Sequence, residues 1–169
     1  AEKLDAPVCS GYQHNDSFPG SHPLAVGPLG YNGSKAAMQL ISKADVVLAL
    51  GTRLNPFSTL PGYGIDYWPK KASIIQVDMN PDRIGLTKKV TVGISGDAKL
   101  VSQQILSKLL PEAGNNGREE RKNLIHQTKS AWLQTLSGLD HEEDDPGTVW
   151  NKEARERDKD RMSPRQAWR

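Results

Sequence analysis

Three short stretches carry residue types that could hold an anionic ligand. In GPLGYNGS, residues 27–34, three glycines and an asparagine stand directly before a run with helical periodicity. Backbone N–H groups exposed at such a helix start can cradle a phosphate. Gly51-Thr52-Arg53 follows the apolar run VVLAL, and Asp78 closes SIIQVD. A glycine lets a ligand approach the backbone, an arginine can fork onto a phosphate or sulfonate, and an acid can take ribose hydroxyls. Together the three stretches sketch a dinucleotide site. The same residues also allow a plainer reading, with glycines for tight turns, Arg53 in a structural ion pair and Asp78 capping the turn into NPDR. GPLGYNG is neither GxGxxG nor a P-loop with its Lys and Ser/Thr, so the motif alone does not decide between them.

Two other groupings are weaker. His14, Asp16 and His22 in GYQHNDSFPGSHPL are possible metal ligands, but no third firm ligand sits at helical spacing and His22-Pro23 reads as a turn. Solvated loop residues are the expectation there, and no metal site is expected in the chain. Cys9 and His14 could form a nucleophile–base pair, yet nothing in the sequence orients the histidine.

The elements that must position these residues alternate between short apolar runs and helical stretches. Residues 7–10 read as a short strand, followed by a polar Gly/Pro/His loop through residue 33. Residues 34–44 read as a helix, with Ala37, Leu40, Ile41 and Ala44 on one face. Residues 45–50 (DVVLAL) form a continuous aliphatic run of the kind buried on both faces of a parallel sheet, and residues 73–78 form a second such strand. A short strand near 90–94 leads to Asp97, which can cap a helix over 98–110 with Val101, Ile105 and Leu109 inward. This rhythm predicts βαβ units in an α/β fold with an open, mostly parallel, Rossmann-like sheet. Ligands of such sheets bind at the carboxyl ends of the strands, where all three stretches fall.

The composition shifts after residue 110. Residues 111–117 read as a linker, and 118–136 as a helix with Leu124, Ile125, Trp132 and Leu136 on its apolar side. The stretch through residue 162 is charged and reads as irregular. Ser163, Pro164 and Gln166 then form a capping box at a new helix start. The chain begins in what reads as a last helical turn and ends in a first one, which predicts a piece of something longer.

The bulk numbers narrow the classes of partner. Over 169 residues, 25% are charged and the balance is only +2, with acids and bases interleaved, so no basic field points to nucleic acid. No apolar run approaches membrane-spanning length. The single cysteine cannot form an internal disulfide, and a cytoplasmic protein is the default expectation.

With these motifs placed, the chain resembles a known family. The ordered series FPGSHPLAVGPLGYNGSKAAMQLISKADVVLALGTRL, IIQVDMNPDRIG and GDAKLVSQQIL is similar to the central domain of thiamine-diphosphate-dependent enzymes of the acetolactate synthase and pyruvate oxidase type. Within that group, GYQHND, GPLGYNGSKAA and NPFSTLPGYGIDYWPK look most like the branch that turns sulfoacetaldehyde and phosphate into acetyl phosphate and sulfite. The resemblance implies three α/β domains in a homodimer or homotetramer, with thiamine diphosphate and Mg2+ bound outside this segment. It makes residues 1–110 a partial central domain, 111–162 an interdomain linker, and 163–169 the start of the diphosphate-binding domain. The segment alone then has no catalytic residue and is mainly structural. Gly96-Asp97 and Asn115-Asn116 look like the GDG…NN signature of that cofactor's magnesium site. A helix fills the interval between them, however, and would hold the two halves apart.

The resemblance also bears on the nucleotide question. Relatives that bind FAD or ADP do so in this domain, and by position Gly51, Thr52, Arg53, Asp78, Tyr31 and Asn32 match the segments that touch it. Tyr31-Asn32 stands where flavin-binding relatives often have Met-His, and Leu54-Asn55-Pro56 stands where acids often follow the arginine. An acyl transfer without redox needs no flavin. An empty cradle kept for architecture is therefore expected, with FAD or ADP absent and the loops shaping the substrate entrance. The readings left beside it are an acetolactate-synthase-like or decarboxylase activity, and a self-standing nucleotide-binding module.

Overall fold

The structure, a computed structural model, describes residues 1–139. It divides into a unit spanning Ala1–Lys129 and a second beginning at Ser130. Residues 137–139 of the stretch expected to be irregular through 162 are helical, and the rest of it, with the capping box at 163–166, lies outside the described residues.

In chain order the elements are β1 (Val8–Ser10), β2 (Ala25–Pro28), α1 (Lys35–Ile41), β3 (Val46–Leu50), β4 (Ser73–Asp78), β5 (Val92–Ser95), α2 (Ala98–Lys108) and α3 (Arg118–Leu139). Among the described residues every pairing between these strands is parallel. β1 pairs with β2, and β3, β4 and β5 form a second sheet in that order. The α/β class and the parallel arrangement expected from the sequence are present, as two sheets rather than one.

Two local expectations fail. The loop expected to run through residue 33 contains β2, because AVGP reads as a turn by composition yet pairs with β1, Val8 opposite Ala25 and Cys9 opposite Gly27. Pro28 is tolerated because it closes the strand. The run 46–50 was expected to be buried on both faces, yet Val46, Leu48 and Leu50 are 52%, 41% and 40% exposed while Ala49 is buried. β3 is one of the two edge strands of its sheet, and among the described residues those three side chains stay largely uncovered.

The larger core lies between β2, α1 and α3. Leu24, Val26, Met38, Leu40, Tyr67 and Ile125 are buried in it, and Met38 is completely enclosed. Burial of a side chain of that size contributes roughly 1.5–3 kcal/mol. Ser34 begins α1 as its N-cap, its hydroxyl accepting from the Ala37 N–H at 3.3 Å. Asp97 does the same for α2, its Oδ1 accepting from the Leu100 N–H at 2.9 Å. Val101, Ile105 and Leu109 are only half-buried, while Leu100 and Leu106 on the other faces are exposed.

The first half of α3 is fastened to the N-terminal segment. Arg118 pairs with Asp5, and the Arg121 guanidinium donates to the carbonyls of Leu4 (3.0 Å), Asn116 (2.8 Å) and Gly114. Lys129 Nζ donates to the Pro23 carbonyl at 2.9 Å, and its burial lowers its pKa. In the second unit, the described part of the helix shows Thr135 Oγ1 donating to the Ala131 carbonyl at 3.0 Å.

Candidate functional site

The loop joining β2 to α1 carries Gly27, Gly30 and Gly33, and the space before each glycine is taken by protein. Gly30 has φ +108°, and a Cβ there would run into the Phe57 carbonyl oxygen. At Gly33 it would meet the Pro28 carbonyl, and at Gly27 (φ +90°) it would lie 2.7 Å from Ser34 Cβ. Several of the amides that a phosphate would need are committed within the loop. The Leu29 N–H donates to Ser10, Gly33 to Gly30 and Ser34 to Pro28. Tyr63 Oη donates to the Gly33 carbonyl at 3.1 Å. Tyr31 (69% exposed) and Asn32 project from the tip.

The other candidate residues meet at the carboxyl ends of β3 and β4. The Gly51 N–H continues the ladder by donating to Val77 at 2.8 Å, and the Gly96 N–H donates to Asp78 at 3.0 Å. Gly51, Asp78 and Gly96 therefore stand side by side across the sheet end. Gly51 is left-handed (φ +62°), and a Cβ there would make only an ordinary contact, 3.6 Å from Ala98 Cβ. Asp78 is buried, and its Oδ1 accepts from the Asn80 N–H at 2.9 Å. Arg53 is exposed, and among the described residues its guanidinium has no hydrogen-bond or ion-pair partner. Thr52 Oγ1 accepts from the Leu54 N–H at 3.2 Å, and Leu54 holds a left-handed φ of +52°. Gly51, Thr52, Arg53 and Asp78 are thus brought together. Tyr31 and Asn32 belong to the other sheet's loop, which meets the segment following β3 where Gly30 touches Phe57.

One residue here escaped the sequence reading. Gln76, in the middle of β4 and 1% exposed, donates from Nε2 to the carbonyls of Thr52 (3.0 Å) and Arg83 (3.1 Å). Its Oε1 accepts from the Gly85 N–H at 2.9 Å. An uncharged amide buried in an otherwise apolar strand, SIIQVD, was the signal available, since such groups are buried only with partners. Thr87 adds a second tie, its hydroxyl lying 2.9 Å from the Arg53 carbonyl and 2.8 Å from that of Leu54.

The weaker groupings do not assemble. His22 Nδ1 accepts from the Leu24 N–H at 3.1 Å, which leaves the proton on Nε2 facing Glu2 Oε1 at 3.1 Å. Among the described residues no three His, Cys, Asp or Glu side chains converge on a metal position. Cys9 packs against the larger core, and burial pushes its thiol up to about 11, the wrong direction for a nucleophile at neutral pH. Asp97 commits a carboxylate oxygen to capping α2, and the whole of that 11-residue helix separates it from Asn115 and Asn116. These residues do not fit a magnesium–diphosphate group.

Residues 1–105 match the family described as thiamine pyrophosphate enzyme, central domain. The chain belongs to that family. Over its whole length it is 80% identical to a protein of Rhizobium meliloti (strain 1021) named probable sulfoacetaldehyde acetyltransferase, covering 29% of that relative. It is 74% identical, again over its whole length, to the sulfoacetaldehyde acetyltransferase of Roseovarius nubinhibens, covering 28% of it. A probable acetolactate synthase large subunit of Methanocaldococcus jannaschii is 37% identical over 82% of this chain and 21% of the relative. The chain thus spans under a third of the length of these curated relatives. No described helix is long and apolar enough to cross a membrane.

Proposed function

We propose that the full-length protein is a thiamine-diphosphate-dependent acyltransferase, using Mg2+, that converts sulfoacetaldehyde and phosphate to acetyl phosphate and sulfite. This chain is a mainly structural segment of it that carries part of the central domain. The observation that carries the reading is the fall in identity, from 80% and 74% with relatives named for that activity to 37% with an acetolactate synthase. In this reading residues 1–110 belong to the central domain, 111–162 connect it onward, and 163–169 open the diphosphate-binding domain. The protein works as a homodimer or homotetramer in the cytoplasm. The cofactor is held by other parts of the protein, a reading supported by Asp97, which spends a carboxylate oxygen on the cap of α2.

For the candidate residues we propose a role at the substrate entrance rather than a nucleotide site. FAD and ADP are not used. Gly30 and Gly33 face protein, whereas the end of the three-stranded sheet presents an exposed arginine. Both proposed substrates are anions, one a sulfonate and the other a phosphate, and a guanidinium matches either group through paired N–H donors. Tyr31, Asn32, Gly51, Thr52 and Asp78 shape the surface around it.

Full-length protein supplied with thiamine diphosphate, Mg2+, sulfoacetaldehyde and phosphate should release sulfite and acetyl phosphate in equal amounts. Consumption of pyruvate without any sulfite from sulfoacetaldehyde would move the protein to the acetolactate synthase reading.

A further inference from the structure

We propose that Gln76 and Thr87 are positioning residues that clamp the Gly51–Leu54 turn from behind and so hold Arg53 in one place at the sheet end. Three consecutive carbonyls of that turn lie within hydrogen-bond distance of two side-chain donors from outside it, the Thr87 hydroxyl sharing its one proton between two of them. Gln76 donates to Thr52, and the Thr87 hydroxyl faces those of Arg53 and Leu54. The turn also contains two left-handed residues, Gly51 and the non-glycine Leu54. A strained backbone persists only where its surroundings over-determine it. The outward side of the turn is different, with Arg53 exposed and making no side-chain bond among the described residues. An exposed cation on an unclamped loop would lose more conformational freedom on meeting its ligand than one already fixed.

Gln76 reaches further than this one turn. Through the Arg83 carbonyl and the Gly85 N–H it also fixes the segment that follows β4. One buried amide therefore couples two neighbouring connections at the carboxyl end of the sheet, on either side of Asp78. Glutamate would not replace it, because a carboxylate has no donor for the two carbonyls and would face them with negative charge.

The inference rests on the reading that Arg53 receives an anionic substrate, and its test keeps the two separable. In the full-length enzyme, Thr87→Val and Gln76→Leu should speed hydrogen exchange at the Leu54 and Gly85 amides by roughly tenfold or more, Thr87→Val acting chiefly on Leu54. Both should raise KM for phosphate or for sulfoacetaldehyde by about the factor that Arg53→Gln produces, roughly tenfold, with kcat changed less than about twofold. Thr87→Ser, which keeps the hydroxyl, should restore both quantities. Unchanged exchange in Thr87→Val would overturn the clamp. So would faster exchange with KM unchanged while Arg53→Gln still raises it. If Arg53→Gln moves neither KM, the entrance reading fails, and the exchange rates alone then decide whether the turn is clamped.

Discussion

Two glycine-bearing turns stand at strand ends in this molecule and are built in opposite ways. The loop after β2 looks more like a phosphate cradle, with three glycines and a helix start, yet Phe57, Pro28 and Ser34 occupy the space its glycines leave open. The turn after β3 has one glycine, ordinary contact distances around it, ties on its inner side and an exposed arginine on its outer side. Counting glycines therefore does not tell which turn leaves space at its backbone. A glycine that lets protein backbone approach protein backbone cannot also admit a ligand there, and only the neighbours of the missing Cβ tell the two uses apart.

The largest effect expected from this contrast is at Gly30. Gly30→Ala must adopt a left-handed backbone and press a methyl group into a carbonyl oxygen. A loss of about 3 kcal/mol or more follows, read from chemical unfolding of the full-length protein. Gln76→Leu, which strips partners from two carbonyls and an amide in a buried position, should cost about 2 kcal/mol. Cys9, paired in register with Gly27 beneath the filled loop, tests how dry that region is. Its folded pKa lies near 11 against an ordinary 9.0, so above pH 9 the unfolded chain loses a proton that the folded chain keeps. Stability should fall between pH 9 and 11 with a slope of up to about 1.4 kcal/mol per pH unit, and Cys9→Ala should flatten it. The buried Tyr67 hydroxyl, pushed up to about 12, adds a parallel fall above pH 10 that the Cys9→Ala variant retains. Gly51→Ala should cost only about 1 kcal/mol, the backbone strain without the collision. Arg53→Gln should change stability by less than about 0.5 kcal/mol while altering substrate affinity. Equal losses at Gly30 and Gly51 would erase the distinction between the turns.

Much of this frame was legible in the residues. β4 falls where SIIQVD placed it, and Ser34 and Asp97 cap their helices as short polar residues before helical runs do. β2 was not legible, because a four-residue strand containing Gly and Pro exists only through its partner β1. The exposed face of β3 was hidden for a related reason. A continuous aliphatic run states that a strand suits burial, and says nothing about which other segments are present to cover it. The clamp was invisible because a lone glutamine shows neither its depth nor its partners. The candidate residues could be named as positions, but the difference in their surroundings, Tyr31 and Asn32 on a filled loop and Arg53 on a braced turn, appears only in three dimensions.

We propose that the cradle-like loop holds no nucleotide because protein already fills it. Calorimetric titration of the full-length protein, freed of bound ligands, with FAD and with ADP tests it most directly. No binding is expected at micromolar concentrations of either, with acetyl transfer undiminished when flavin is withheld. Stoichiometric micromolar binding of FAD or ADP that is lost in an Arg53→Gln or Asn32→Ala variant would contradict the account.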